Sequence, residues 1–135
     1  MSANFMTIGH LAKETGTKVE TIRFYEKSGL LPDPGRTEGN FRAYDQAHLN
    51  RLSFIRHARD LGFSLEQVRG LLALSDNRGQ SCAAVDEIAK DHRAEVERKI
   101  RALQTQKAEL DNIIDQCGCG TVAECRIIET LSPTH

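Results

Sequence analysis

Residues 81–125, SCAAVDEIAKDHRAEVERKIRALQTQKAELDNIIDQCGCGTVAEC, decide how the rest of the chain is organised. They read as one long helix with a cysteine at each end and a short cysteine-bearing loop behind it. Counting in sevens from Cys82 reaches Ala89, Val96, Leu103, Leu110 and Cys117, so both terminal thiols lie on the seam that the apolar residues define. Val85, His92, Ile100, Gln106 or Lys107, and Ile113 interleave to complete a mostly apolar 3-4 stripe, the pattern of a helix that packs against another helix. From Cys82 to Cys117 is about 52 Å of helix at 1.5 Å per residue, too far for one ion or one disulfide to join the two thiols within a chain. If two copies pair antiparallel, Cys82 of one arrives beside Cys117 of the other, and two-fold symmetry repeats the junction at the opposite end. The expectation is a homodimer with two identical thiolate sites.

The whole chain, 135 residues, suits one small domain and an extension. Part of the long helix must then be covered by another chain. No apolar run approaches the ~20 residues that span a bilayer, and residues 1–7 lack the charged and apolar regions of a signal peptide, so a cytoplasmic protein with no membrane partner is expected. Four cysteines in that setting point to metal or redox chemistry rather than to a disulfide framework. The net charge of −1 hides an asymmetry: residues 1–59 carry nine Lys/Arg against six Asp/Glu, while residues 76–135 carry eight against eleven. The front half is the candidate for a polyanion.

Upstream of the long helix the sequence predicts four shorter ones. Thr7 caps the first, with Ile8, Leu11 and Ala12 inward and Gly16 as a tight turn. Thr17 and Glu20 read as a capping box for a second, Lys18 to Ser28, closed by Gly29. Two short helices about a glycine turn make a helix-turn-helix. With Val19, Ile22 and Tyr25 inward, Lys18, Thr21, Arg23 and Lys27 could reach a major groove; the plainer reading is a helical hairpin with a solvated basic face. Residues 36–44 form a small hairpin turning at Glu38 to Asn40. Such a hairpin beside a helix-turn-helix is a wing, with Arg36 and Arg42 as phosphate contacts, Asn40 at its tip and Tyr44 able to give a hydroxyl. Asp45 caps a third helix, Gln46 to Leu61, with Leu49, Leu52, Ile55 and Ala58 inward. Ser64 and Gln67 box the start of a fourth, Leu65 to Leu74. The fold class is mainly α: a winged helix-turn-helix head over residues 1–75, a dimerisation helix over 81–117, and a metal-binding loop and tail over 118–135.

These residues resemble the MerR family of transcription regulators. The likeness lies in Thr7-Ile8-Gly9-His10-Leu11-Ala12-Lys13, in Thr21-Ile22-Arg23-Phe24-Tyr25-Glu26-Lys27 with Gly29-Leu30-Leu31, in Arg42-Ala43-Tyr44 and in Leu61-Gly62-Phe63-Ser64-Leu65. The resemblance implies a winged helix-turn-helix head on an antiparallel coiled-coil dimerisation helix. It also implies promoter double-stranded DNA and RNA polymerase as partners, and an activator that untwists a promoter spacer too long for the polymerase. Such indirect readout is physically reasonable, because a rigid helix pair sets the separation of two DNA-reading heads. The DNA-binding set expected is Lys18, Thr21, Arg23, Tyr25, Arg36, Asn40, Arg42 and Tyr44, with Arg56 a weaker candidate.

The short C-terminal end leaves no room for a drug-binding domain, so the effector is expected to be an ion or a cluster. The copper- and silver-responsive members resemble serine at the position of Cys82. Three thiolates would leave −2 around a monovalent ion but −1 around a divalent one, and burial penalises the larger charge. Cys82 from one chain with Cys117 and Cys125 of the other therefore suits a divalent soft metal: zinc, cadmium, lead or mercury. Cys119 departs from the simplest pattern and could be a fourth thiolate, hold a second ion, or stay free. His92, mid-seam, reads as a core histidine. An iron-sulfur sensor is the strongest alternative: Cys117, Cys119 and Cys125 match three of its four cysteines, with Ile114 where the fourth would stand. A copper(I)-type sensor and a metal serving only as a structural staple are others. The chain is not expected to be an enzyme, since a zinc deaminase would need His-x-Glu with Pro-Cys-x-x-Cys.

Overall fold

The computed structural model describes residues 5–116 and 120–132. Its elements run α1 Ile8–Thr15, α2 Val19–Lys27, β1 Gly35–Arg36, β2 Arg42–Ala43, α3 Gln46–Asp60, α4 Leu65–Ser75, α5 Ala83–Gln116, a 3-10 turn Val122–Glu124 and α6 Arg126–Leu131. They fall into two compact units, residues 1–88 and 89–135.

In the first unit, local chemistry sets most boundaries. The Thr7 hydroxyl accepts the His10 N–H at the start of α1, and Gly16 ends it in the left-handed region at φ 63. The positive φ favours glycine at this position, and a Cβ there would also stand 2.5 Å from Nη1 of Arg56, which would have to shift. The start of α2 differs from expectation. The Thr17 hydroxyl turns back to donate to the Thr15 carbonyl, Lys18 takes the cap position without a side-chain bond, and no capping box with Glu20 forms. The left-handed turn at Gly16 aims Thr17 at the end of α1 rather than along α2. α3 and α4 carry the expected caps: Asp45 accepts from His48, and Ser64 and Gln67 cap each other reciprocally. The backbone N–H of His48 is the main reason the Asp45 carboxyl titrates below its ordinary range.

The core is one cluster built from Leu11, Ile22, Leu30, Leu31, Tyr44, Leu52, Ile55 and Val68, all essentially inaccessible. β1 and β2 pair antiparallel, Gly35 with Ala43 and Arg36 with Arg42, and turn through Asn40 at φ 64. Met6 exchanges both backbone hydrogen bonds with Tyr44, tying the chain before α1 to the base of the hairpin. Ile88, in the first turns of α5, packs against this core.

The second unit holds the rest of α5, the 3-10 turn and α6. Among the described residues of α5 only His92 is buried. Val96, Ile100, Leu103, Leu110 and Ile114 are exposed, Leu103 by 62%. α6 was not legible in the sequence, where residues after Cys125 read as a tail. Six residues are too few for helical periodicity to register. No helix among the described residues is long and apolar enough to cross a membrane.

Candidate nucleic-acid interface and thiolate ends

α2 sends Ile22 and Tyr25 into the core and presents the opposite face to solvent. Glu20, Arg23, Phe24 and Lys27, at three- and four-residue spacing, line a shallow depression on that face. Lys18 stands exposed at the helix start, and Thr21 is half-buried beside it. Lys18, Thr21 and Tyr25 also border a notch with Gly16, Thr17, Arg56 and Arg59. The N-terminus of α2 therefore opens toward a rim rich in cations, suited to an anionic strand.

The hairpin is locked to α2 by one carboxylate. Glu26 is 6% exposed at its side chain, and its two oxygens accept from Nη1 of Arg42 at 3.0 and 3.1 Å. The Tyr44 hydroxyl donates to the same carboxylate at 3.1 Å. A buried carboxylate is tolerated because it is paired with a cation and hydrogen-bonded as well. Burial, with help from the Glu26 charge, pushes the Tyr44 hydroxyl pKa above its ordinary value. Its ring stands edge-on to His48, 5.4 Å between centroids, and the His48 ring bridges Asp45 and the Pro32 carbonyl.

These contacts sort the expected DNA-binding residues. Lys18, Arg23, Arg36 and Asn40 are exposed, with Arg36 and Asn40 on the hairpin. Arg42 is 38% exposed, one nitrogen turned inward to Glu26 and the rest of its edge toward solvent. Tyr25 is a core residue that meets the surface only at the notch. Tyr44 is fully buried and its hydroxyl is given to Glu26, contrary to the expectation that it would be offered outward. The reason is that Tyr44 closes the core beneath the hairpin, and the nearest acceptor for its hydroxyl is the carboxylate of α2.

Four arginines are structural, which sequence reasoning missed. Arg56 donates to the carbonyls of Thr15 and Gly16, at 2.7 and 2.6 Å, and so holds the C-terminal end of α1, where a cation is favoured. Arg51 bonds the Leu30 carbonyl and Asp76, Arg59 the Phe63 carbonyl, and Arg69 the Ser28 carbonyl. Two of the partners, Leu30 and Ser28, close the end of α2. Sequence separations of 21 to 41 residues in most of these pairs explain why no local pattern announced them. Phe24, half exposed among the cations of α2, was also passed over, although its spacing from Glu20 and Lys27 placed it on the outward face.

The cysteines stand at element ends. Cys82 is exposed immediately before α5; its carbonyl accepts from Asp86 while the Ser81 hydroxyl accepts from Ala83. Cys125 is half-buried between the 3-10 turn and α6, its N–H bonded to the Val122 carbonyl and its carbonyl accepting from Glu129. Cys117 and Cys119 lie outside the described residues. Among the described residues no three His, Cys, Asp or Glu side chains gather as a metal-holding group. The donor chemistry of Cys82 and Cys125 fits a soft cation, since sulfur is a soft ligand.

The chain matches the model described as "MerR HTH family regulatory protein" over residues 6–75 and that described as "MerR, DNA binding" over residues 49–113. It is 39% identical over 127 residues to heavy metal-dependent transcription regulator 2 of Rhizobium meliloti, covering 94% of this chain and 86% of the relative. The lead(II) complex of the transcription regulator PbrR691 from Ralstonia metallidurans superposes with a TM-score of 0.82 at 42% identity, covering 94% of this chain and 99% of the other. The mercury(II) complex of the dual function transcriptional regulator MerR from Bacillus megaterium gives 0.71 at 31% identity, covering 93% and 98%.

Proposed function

The chain belongs to the MerR family as a metal-responsive transcription regulator, and we propose that it senses a divalent soft metal ion, zinc, cadmium, lead or mercury, and activates metal efflux or resistance genes. The observation that carries this reading is the exposed Cys82 at the start of a 34-residue helix whose apolar seam is uncovered. Such a helix is about 50 Å long, so a seam-on-seam antiparallel homodimer brings Cys82 of one chain to the cysteines that follow the helix in the other. Cys82, Cys117 and Cys125 would hold the ion, with Cys119 a possible fourth ligand, and three thiolates leave a single negative charge around a dication.

In the head, Lys18, Thr21, Arg23, Arg36, Asn40 and the outer edge of Arg42 are the proposed contacts to promoter DNA, with Tyr25 reached through the notch. Tyr44 acts from inside, holding the hairpin wing to α2. Because Glu26 joins wing and recognition helix, the head moves as one body. A change at the ends of the long helices then alters the spacing of two heads and so the twist of the spacer read by RNA polymerase.

Mixed dimers test the shared site. A Cys82→Ser chain paired with a Cys117→Ser chain places both lesions at one end and leaves the other end intact. The heterodimer should retain one full-affinity divalent site where each homodimer retains none. A heterodimer that binds no better than its parents, or a Cys82→Ser homodimer with undiminished response to zinc and cadmium, refutes the arrangement.

A further inference from the structure

Phe24 is 50% exposed in the middle of α2, although the apolar needs of that helix are already met by Ile22 and Tyr25. It shares its outward depression with Arg23 and Lys27, one on each side along the helix, and with Glu20 one turn earlier. Its ring leans on Tyr25 at 5.9 Å between centroids and 53°, and Tyr25 is anchored in the core. The phenyl group is thus a positioned apolar surface framed by two cations, on the exposed face of a helix in the segment that matches the helix-turn-helix family model.

We propose that Phe24 is a specificity-determining residue that reads thymine through its 5-methyl group in the major groove. The inference rests on the regulator reading above and adds which base is recognised and by what chemistry. The major-groove edge of a T·A pair is the only one bearing a methyl, so an apolar side chain there discriminates without a hydrogen bond. Arg23 and Lys27 neutralise phosphates on either side and bring the ring to the groove floor. A half-exposed phenyl also removes its own surface from water on docking, which an uncharged polar residue at this place would not do. Of the other groups of α2 that reach solvent, Glu20, Arg23 and Lys27 are charged, while Val19 and Thr21 are partly covered and offer a smaller apolar surface than the phenyl ring.

The test uses the intact dimer and an operator duplex that it selects from randomised DNA. Each thymine of the half-site is then replaced in turn by uracil, which deletes only the methyl. One buried methyl corresponds to about fourfold in Kd, so at one position per half-site the parent should bind the uracil duplex about fourfold more weakly. The Phe24→Ala variant should bind the operator more weakly, be indifferent to uracil at that position, and keep the parent's salt slope on unrelated DNA. Phe24→Leu, with a shorter apolar surface, should show a reduced methyl effect. Parent binding that is indifferent to uracil at every position overturns the assignment, as does a full methyl effect in either variant. A parent that selects no sequence at all would instead overturn the regulator reading beneath it.

Discussion

Arg42→Ala tests whether the hairpin is locked to the recognition helix through Glu26. The substitution removes the cation from a carboxylate that is 6% exposed and leaves only the Tyr44 hydroxyl to stabilise it. Breaking a fully buried pair in this way costs about 3–5 kcal/mol. Here Arg42 is 38% exposed, so its removal admits water to one side of the carboxylate, and about 2 kcal/mol is the reasonable expectation. For a unit of this size that is a fall of roughly 10 °C in Tm. Glu26→Gln keeps an acceptor for Tyr44 and removes the charge, so it should cost about 1 kcal/mol. The decisive quantity is the double-mutant cycle by urea unfolding at fixed protein concentration. Once Glu26 is neutral, losing Arg42 strands no charge, so the double variant should be less destabilised than the sum of the singles by about 1 kcal/mol. Single effects that add within about 0.3 kcal/mol, or an Arg42→Ala variant as stable as the parent, would refute the lock.

Gly16→Ala should destabilise the head by about 2 kcal/mol, from the left-handed dihedral and from displacing Arg56 off two carbonyls, with denaturant unfolding as the measure. Arg23→Ala should weaken binding to every duplex and flatten the plot of log K against log salt by about 0.9 per lost phosphate contact; an unchanged slope would remove Arg23 from the interface. Tyr44 should ionise above the ordinary tyrosine value of about 10, because its neutral form is favoured in the fold. The stability that this contributes is complete below pH ~10 and is lost as pH rises through the folded value, so the late phenolate absorbance should vanish in Tyr44→Phe. The sequence contains two tyrosines and no tryptophan, which keeps that signal simple.

What the sequence made legible was local. Thr7, Asp45 and Ser64 announce helix starts because a cap bonds only three residues away, and Gly16, Gly29 and Gly62 announce ends because each takes a positive φ. The hairpin was readable from its turn even though each strand has only two residues. The long helix was likewise legible and is found over Ala83–Gln116. Tertiary matters were not readable. Glu26 looked like one more charge of an amphipathic helix, and its 16- and 18-residue reach to Arg42 and Tyr44 has no sequence signature. Tyr44 illustrates the consequence: its place in the hairpin suggested an outward hydroxyl, while packing under that hairpin turned it inward. The proposed thiolate site was legible only as a set of residue types, because in that proposal its assembly depends on a second chain.

The arginine contacts also change how the charge asymmetry should be understood. Of the nine basic residues in positions 1–59, Arg51, Arg56 and Arg59 spend their donors on backbone carbonyls and Arg42 spends part of its charge on Glu26. Outside these contacts stand the exposed cations Lys13, Lys18, Arg23, Lys27 and Arg36, three of them on or beside α2 and one on the hairpin, while Arg59 is exposed too and keeps its charge beside the Phe63 carbonyl. If all five of each head met phosphates, the slope of log K against log salt for a dimer would be about −9, near that of a tight operator binder, from a chain whose net charge is −1. The acidic excess beyond residue 76 has the opposite sign, so the chain's attraction for a polyanion is concentrated in its first 59 residues and is invisible in the net charge.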